Sequence, residues 1–458
     1  MAQNFLACDR DQELLSPPSL REWLPEDHLT WFVLDAIDEL DLSAFYGAYR
    51  EDGWGRAAFE PQMMVALLLY AYAAGERSSR GIERRCREDV AFRVITANQI
   101  PDHATIARFR ARHERALAGT FTQVLALCAQ AGLVSVGVVA LDGSLLAGNA
   151  SPGATRSYAS IGEEVERMLA EAARADAAED ERLGEARGDE LPAELVDVRS
   201  RRERLRRCKE QLEQAQADEE ASYRENLAWR AAWESEHGRR LTGRKPTPPD
   251  PAALAARKIN TTDPDTRLMK RAGGKSVQGY NAQVVASPEQ VILAAQVTQS
   301  HNDADQLAPM VAQAADTLRE AGIQEPIGIV LADGGYWNSP AIGEVRGQGI
   351  DVLVPTQDRL RTAPRKLAPR QGDEARRIEA VLSRPEGQAL YRRRQQIVEP
   401  VFAHIKCIRR TDRFLRRGLT ACQAEWQLIA ATHNLLKLWR AGLGRAGTAI
   451  PVPLAPAS

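Results

Sequence analysis

The sequence lacks the paired residues that disulfide frameworks and zinc ribbons require. Its 458 residues include six cysteines, all scattered singly and without a CxxC pair. Zinc ribbons need cysteines or histidines at short, regular spacing, and disulfide frameworks need cysteines that can pair. The seven histidines form no HExxH or HxH cluster either. These absences favour a protein of a reducing compartment, in which neither zinc nor disulfides hold the fold together.

Long apolar runs and a strong net charge are missing as well. No run of about 18 apolar residues is present to span a membrane, and the first residues show no basic-then-apolar signal pattern. We therefore expect a cytoplasmic protein without membrane contact. The formal net charge is -2, so the molecule as a whole is not a cationic nucleic-acid binder. Any basic surface for nucleic acid must be local.

The first 130 residues or so are predicted to be helical. The stretch FEPQMMVALLLYAYAAGERSSR places Pro61 at a first helical position, where a proline is well tolerated. Its apolar residues form a broad stripe, which is typical of a helix in a protein core.

A later stretch of this region, IPDHATIARFRARHERAL, combines a helix start with regularly spaced arginines. Asp102 is a predicted N-cap, and Arg108, Arg112 and Arg115 follow at i, i+4 and i+7, so we expect them to share one helix face. Two interpretations stay open. The face is either a solvated surface, or part of a helix-turn-helix-like unit that presents arginines to DNA.

Residues from about 161 to 240 differ in composition from the rest of the chain. They are rich in Glu, Arg, Ala and Gln, which are good helix formers, and Gly184, Gly188 and Pro192 interrupt them once. We predict an inserted, coiled-coil-like antiparallel helical hairpin that ends at the stiff linker RKPTPPDP. Its heptad-like seam would consist of Leu191, Leu195, Val198, Leu205 and Leu212.

Apolar runs on both sides of this insertion are typical of β-strands. The predicted strands are 136–147, the two arms of a hairpin within 277–300, 326–340 and 349–356. A helix with Asn302 or Asp303 as its N-cap follows the hairpin, and 357–385 is predicted to be a loop. The order of strand, hairpin, helix, strand, strand and helix predicts an α+β fold, with a mixed sheet flanked by helices.

Two of these strands carry an aspartate near their C-terminal end, Asp142 in VVALDG and Asp333 in IVLADGGY. A carboxylate inside a buried strand is unfavourable unless a positive group lies beside it. A single acid at a strand end is most often a cap or a turn former. Two acids in matching settings favour a shared site, because reacting groups of open sheets gather where strands end.

Glu399, in YRRRQQIVEPVFAHIKCIRR, is the best third acid for a site with two Mg²⁺ ions. On a helical wheel it shares a stripe with Val398 and Phe402, so we expect it to be buried beside a metal or a cation. The alternative is an ion pair with Arg394 or with a lysine. Pro400 leaves open whether the helix kinks at this point or restarts.

The surroundings of Glu399 are strongly basic. They predict either a surface for the phosphate backbone of DNA or a solvated helix surface. The basic residues are Arg392, Arg393, Arg394, Lys406, Arg409, Arg410, Arg413, Arg416 and Arg417.

Several of these stretches together resemble a known family. The chain is similar to bacterial insertion-sequence transposases of the DDE type, which have a ribonuclease-H-like catalytic core. The resemblance extends over roughly residues 10–440. It is carried most strongly by ALDGSLLAGNAS, DPDTRLMK, GYNAQVV, LADGGYW and RQQIVEPVFAHIK.

The resemblance implies an activity and a metal site. Such proteins cleave DNA at the ends of their element and transfer the strands to target DNA. Asp142, Asp333 and Glu399 would be the catalytic, metal-binding triad for two Mg²⁺ or Mn²⁺ ions. The implied partners are double-stranded DNA, both as terminal inverted repeats and as target, and a second copy of the chain in the DNA complex. Association with the nucleoid would follow.

Further residues match the tyrosine-arginine-glutamate-lysine signature of the wider group. Tyr391, Arg394, Glu399 and Lys406 are similar to it, with one extra residue between the arginine and the glutamate. Arg394 and Lys406 would hold phosphates near the scissile bond. Trp337 would either stack on an unpaired base or pack under the edge of the sheet.

Two other functions stay open. One is an inactive or repurposed transposase copy that binds DNA without cutting it, and the other is a coiled-coil DNA scaffold protein. The predicted organisation is a helical, helix-turn-helix-like DNA-binding region at 1–130, a catalytic core at 131–160 and 251–445, the helical hairpin and linker at 161–250, and a disordered tail at 446–458.

Overall fold

The structure is a computed structural model that describes residues 20–49, 58–167, 193–242, 245–250, 252–270, 276–356 and 372–443. The helices are α1 (Leu29–Asp38), α2 (Ser43–Tyr46), α3 (Pro61–Ala73), α4 (Ser79–Glu88), α5 (Val90–Ile95), α6 (His103–Arg112), α7 (Glu114–Gln130), α8 (158–167), α9 (Ala193–His237), α10 (Ala253–Ala256), α11 (Leu307–Glu320), α12 (Ser339–Gly347), α13 (Asp373–Leu382), α14 (Pro385–Ala403) and α15 (Leu419–Leu438). The strands are β1 (Val138–Ala147), β2 (Thr155–Ser157), β3 (Lys258–Asn260), β4 (Arg267–Lys270), β5 (Ser276–Ala286), β6 (Ile292–Thr298), β7 (Ile329–Leu331) and β8 (Asp351–Leu353).

The chain divides into two compact units. The first contains residues 1–144, 281–415 and 420–458, and the second contains 145–280 and 416–419. Helices α1 to α7, predicted to form a DNA-binding region, therefore share a unit with β7, β8 and α11 to α15.

The main sheet has six strands in the order β4–β5–β1–β7–β8, with β6 also paired to β5. Strands β5 and β6 form the predicted antiparallel hairpin, whereas β1, β7 and β8 run parallel to one another. Val139, Ala140 and Leu141 of β1 are buried, as expected for a parallel strand covered on both faces. A mixed sheet flanked by helices confirms the predicted α+β class.

Helix α15 covers the open edge of β6 with side-chain hydrogen bonds. The Asn434 side chain accepts from the backbone N–H of Ile292 and donates to the carbonyl of Ile292, each at 2.8 Å. Gln423 accepts from the backbone N–H of Val297 at 2.6 Å and donates to the carbonyl of Ala295 at 2.9 Å. These bonds satisfy backbone groups that an edge strand would otherwise expose.

Helix α14 continues through Pro400, which answers the question left open by the sequence. A proline has no backbone N–H, so the carbonyl of Gln396 loses its donor within the helix. The Gln290 side chain replaces that donor at 3.1 Å, and it also accepts from the Lys437 ammonium at 2.7 Å. Gln290 lies in the turn between β5 and β6 with a positive φ of 65°, so the hairpin supports the helix at its proline.

Arg409 is not part of a basic surface, contrary to the sequence prediction, because it is only 3% exposed. Its guanidinium donates to the carbonyls of Tyr72 at 2.9 Å and Ile429 at 3.0 Å. Burial, with the nearby Arg77 cation, lowers the pKa of Arg409 to about 9. Arg77 itself forms a buried ion pair with Glu425 at 2.7 Å. These contacts connect α3 to α15 within the first unit.

The predicted helical hairpin of the insertion is described in part. Helix α9 is 45 residues long, and its predicted seam residues Leu205 and Leu212 are buried together with Cys208, Ile161 and Ile259. Outside the described residues lie the predicted breaks Gly184, Gly188 and Pro192, the seam residue Leu191 and the tail 446–458. The burial of the Leu195 and Val198 side chains is not described either.

Two local predictions were wrong. Helix α11 begins at Leu307 with Gln306 as its N-cap, because Asp303 is engaged by side chains of β5 instead of capping a helix. Helix α13 lies within the predicted loop 357–385, of which 357–371 fall outside the described residues. None of the helices described combines the length and the apolar composition that crossing a bilayer requires.

Candidate active site

Asp142 lies within β1, and Asp333 follows the end of β7, where its side chain accepts from the Gly335 N–H at 2.7 Å and caps the next turn. In the pairing of β1 with β7, Ala140 lies opposite Leu331, and each aspartate follows two residues further along its chain. The register therefore places the two aspartates level with each other just past the paired stretch of β1 and β7, near enough for Asp333 to raise the pKa of Asp142.

Arg394, on α14, is the positive group beside Asp142. Its Nη1 lies 3.0 Å from Asp142 Oδ2, and the two side chains are only 12% and 21% exposed. Burial nevertheless raises the pKa of Asp142 to about 6 against the opposing effect of Arg394, and repulsion from Asp333 and Asp303 adds to the rise. The site thus concentrates more negative charge than one guanidinium balances.

Glu399 is exposed, contrary to the prediction from the helical wheel. Its side chain is 55% exposed, and its Oε1 lies 3.9 Å from Arg394 Nη2. Val398 and Phe402 fill the inward stripe of α14 instead, which turns Glu399 to the border of that stripe. The structure shows the loose ion pair with Arg394 that the sequence left open as an alternative.

Lys406 and Tyr391 also reach the site from this part of the chain. Lys406 lies on a π-helical turn, His404–Ile408, that directly follows α14, and its ammonium donates to Ser144 Oγ at 2.8 Å. Ser144 follows Asp142 by two residues on β1. Tyr391 is half-buried, and burial raises the pKa of its phenol while Arg394 lowers it. One helix and the turn behind it therefore supply all four signature residues.

Asp303 is a site residue that the sequence analysis missed. Its Oδ1 accepts hydrogen bonds from Asn281 Nδ2 and Gln283 Nε2, both at 2.7 Å. Asn281 and Gln283 are buried, at 2% and 0% exposure, on the otherwise apolar β5. Two amides at alternate positions of a buried strand were the available signal, because buried polar side chains need partners.

Gly143 allows this cluster to lie against β1. A Cβ at this position would be 2.3 Å from Gln283 Nε2 and 3.0 Å from Asp303 Oδ1. Real Cβ atoms do not come as close as the shorter distance, so any side chain here would displace the Gln283 amide. The glycine that follows Asp142 thus serves close packing beside the carboxylate.

Tyr336 and Trp337 are both buried, so neither ring is presented to a ligand. The Tyr336 hydroxyl donates to Gln283 Oε1, and burial raises the pKa of this phenol well above its usual value. Trp337 is 7% exposed, which agrees with packing inside the protein and not with stacking on a base. The stacking role predicted for Trp337 is therefore not supported by its placement.

Two families match this chain. Residues 18–112 match the family described as Transposase domain (DUF772), and residues 253–435 match the family described as Transposase DDE domain. The chain belongs to the DDE transposases of insertion sequences. The comparisons with curated proteins and with solved structures gave no match.

The family assigns the transposase its general activity and its fold. The mixed sheet flanked by helices is the ribonuclease-H-like fold of DDE enzymes, which act on DNA and use divalent metal ions. Asp333 and Glu399 lie within the matched DDE domain, whereas Asp142 lies outside both matched ranges. The pairing of β1 with β7 and the contact with Arg394 are what connect Asp142 to the other two acids.

The three N-terminal arginines do not share one helix face in the transposase, contrary to the sequence prediction. Helix α6 ends at Arg112, and Arg115 belongs to α7. Arg108, Arg112 and Arg115 are all exposed, but the Arg112 guanidinium lies over the Tyr49 ring, 4.7 Å from its centroid. Arg108 and Arg115 are therefore better placed than Arg112 to contact a ligand. The predicted N-cap Asp102 is confirmed.

No closed metal cage is preformed. Among the residues that the structure describes, no group of three or more His, Cys, Asp or Glu side chains is arranged to hold a metal ion. The Asp142 carboxylate faces Arg394, and Asp303 faces two amides. The arrangement is a cluster of acids balanced in part by an arginine.

The raised pKa of Asp142 gives a testable pH dependence. The folded pKa, about 6, exceeds the usual 3.8, so the folded chain holds this proton more tightly than the unfolded chain. The contribution to stability is complete below about pH 4 and is lost as the pH rises through 6. Without divalent cations, wild type should lose about 1 kcal/mol more than Asp142→Asn between pH 5 and pH 8.

Urea denaturation of both proteins in the presence of a chelator measures this difference. In Asp142→Asn, Arg394 loses its partner, and this changes the free energy of unfolding by a similar amount at both pH values. The comparison with wild type therefore isolates the titration of Asp142. Parallel pH profiles for the two proteins would show that Asp142 does not titrate in this range.

Proposed function

We propose that this transposase cleaves DNA strands at the ends of its element and transfers them to target DNA, with Asp142, Asp333 and Glu399 as its catalytic acids. The observation that carries this proposal is the partly buried Asp142, which lies near Asp333 and contacts Arg394. A carboxylate whose pKa is raised by burial and by neighbouring acids is a candidate functional group.

The donor chemistry of the site fits a hard divalent cation. The candidate ligands are all carboxylates, which Mg²⁺ and Mn²⁺ prefer over imidazole or thiolate ligands. The pKa of Asp142 is raised by burial and by neighbouring acids, and a divalent cation would relieve that repulsion. Asp142, Asp333 and Glu399 would hold two such ions. When bound, they would activate the attacking oxygen and stabilise the leaving oxygen in phosphoryl transfer.

Arg394 opposes the rise in the pKa of Asp142 that burial causes and would add a contact for DNA. Its Nε is buried and has no acceptor among the described residues. A phosphate oxygen of the substrate would satisfy this donor, since arginine binds phosphate with several parallel N–H groups.

Lys406, held by Ser144 two residues beyond Asp142, would provide a second positive charge near the scissile phosphate. The charges of Arg394 and Asp333 both affect the pKa of the Tyr391 phenol, so this side chain lies near them. The phenol would therefore help to position the same phosphate.

The DNA partners follow from the reaction. Terminal inverted repeats and target DNA would meet the site, and two ends must be held together for paired cleavage. We therefore propose a homodimer in the DNA complex, working at the nucleoid. The exposed Arg108 and Arg115 of the first unit would contact the repeat DNA.

Replacing any one of the three acids should slow strand cleavage strongly. For Asp142→Asn, Asp333→Asn and Glu399→Gln, loss of about 3 kcal/mol of charge stabilisation corresponds to roughly 100-fold slower cleavage. The assay follows nicking of duplex DNA that carries the element ends, with Mg²⁺. Asp316→Asn is the matched control, since this aspartate on α11 is 61% exposed and pairs only with Arg319 among the described residues.

Wild-type cleavage by any of the three variants would remove that residue from the triad. An equal loss of cleavage rate in the Asp316→Asn control would indicate a general effect of charge and not a role in the chemistry at the site.

Arg108→Ala should weaken binding to element-end DNA more than to random duplex, if α6 reads bases. Loss of a base contact is worth roughly 1 to 3 kcal/mol on the cognate sequence. Titration of labelled duplexes at fixed salt measures both affinities, with Arg319→Ala, 70% exposed on α11, as the matched control. Equal weakening on both duplexes would show phosphate contact alone, and no weakening would place Arg108 outside the DNA interface.

A further inference from the structure

The cluster of acids includes a fourth carboxylate, that of Asp303, in the loop before α11. We propose that Asp303 is a further cation-ligating residue of the site, so that the divalent ions are held by four acids and not three. This inference rests on the function proposed above. It is carried by the orientation of the Asp303 carboxylate and by its position between Gly143, which follows Asp142 on β1, and Gly335, in the turn after Asp333.

Two amides orient the carboxylate and use only one of its oxygens. Asn281 Nδ2 and Gln283 Nε2 both donate to Asp303 Oδ1, at 2.7 Å. Within the described ranges, no other donor reaches this carboxylate, and its Oδ2 is left for a ligand.

The amides are themselves fixed by the interior of the protein. Gln283 is fully buried, and its Oε1 accepts from the Tyr336 hydroxyl, which directs the amide nitrogen towards Asp303. Partners of this kind orient the ligands of many metal sites without touching the ion. Because both donors to Asp303 are uncharged, they orient the carboxylate without neutralising it.

Asp303 lies close to the residues that follow Asp142 and Asp333. Its Oδ1 lies 3.0 Å from the point where a Cβ of Gly143 would be, directly after Asp142. Its Oδ2 and Asp333 Oδ1 lie within 3.6 Å of the corresponding point of Gly335, just after Asp333. Asp303 also repels Asp142. A cation in contact with both strand-end acids would therefore be within reach of Asp303.

A purely structural role is the rival explanation, in which Asp303 only ties its loop to β5. The two roles differ in their effect on metal binding. A ligand contributes to the affinity for the cation in a correctly folded protein, whereas a tie between segments contributes only to stability. The experiment therefore measures metal binding directly and does not depend on cleavage.

Mn²⁺ binding to the full chain without DNA is measured by calorimetric titration and by the rise in unfolding temperature with Mn²⁺. Asp303→Asn should bind Mn²⁺ at least 10-fold more weakly than wild type and show a smaller Mn²⁺-dependent rise, since a bound ion stabilises in proportion to its affinity. Asp333→Asn should show a comparable loss. Asp316→Asn, with the same change of charge on exposed α11, should bind as wild type does.

The outcomes separate this inference from the proposed function. Wild-type Mn²⁺ affinity in Asp303→Asn, with loss in Asp333→Asn, would overturn the role of Asp303 and leave the triad intact. Wild-type affinity in Asp142→Asn and Asp333→Asn as well would contradict the metal site as a whole.

A second variant covers the case in which Asp303→Asn does not fold. Asp303→Glu keeps the charge and moves the carboxylate by one methylene. A protein with the wild-type urea midpoint but weaker Mn²⁺ binding supports the inference, and unchanged Mn²⁺ binding overturns it.

Discussion

A carboxylate at the end of a buried strand raises the free energy of the folded chain unless a cation lies beside it. In this transposase the cation is Arg394, 3.0 Å from Asp142. The remaining features of the site follow from this contact. It joins α14 to β1 at Asp142, and Tyr391 and Glu399 on α14 and Lys406 on the turn that follows lie nearby. The excess of negative charge that remains at the site is what suits it to divalent ions.

Other parts of the fold fix the positions of both partners of this ion pair. Strand register places Asp142 level with Asp333, and Gly143 lets the amides of β5 approach without a side chain between them. On the other side, α14 passes through Pro400 because Gln290 donates to the carbonyl that the proline leaves without a partner. The β5–β6 hairpin thus supports both partners of the ion pair. Its buried amides pack beside Asp142, and its turn supports α14, which carries Arg394.

Local sequence patterns were sufficient for some of this architecture and insufficient for the rest. Apolar runs that end in an aspartate and a glycine predicted β1 and β7 as strands, and the helix around Glu399 was also foreseen. The exposure of Glu399 was not, since a helical wheel cannot show which of two adjacent residues, Val398 or Glu399, packs inward. Asp303 was assigned to a helix cap because its true partners, on β5, are about 20 residues away in the chain.

The central claim is that Arg394 balances an acid whose function is to bind a divalent cation. Anomalous diffraction from transposase crystals soaked in Mn²⁺ tests it most directly, because the ion is located independently of activity. The account predicts a manganese peak in contact with the Asp142 and Asp333 carboxylates. A structure with saturating Mn²⁺, no peak at these two aspartates and the Arg394–Asp142 ion pair unchanged would contradict it.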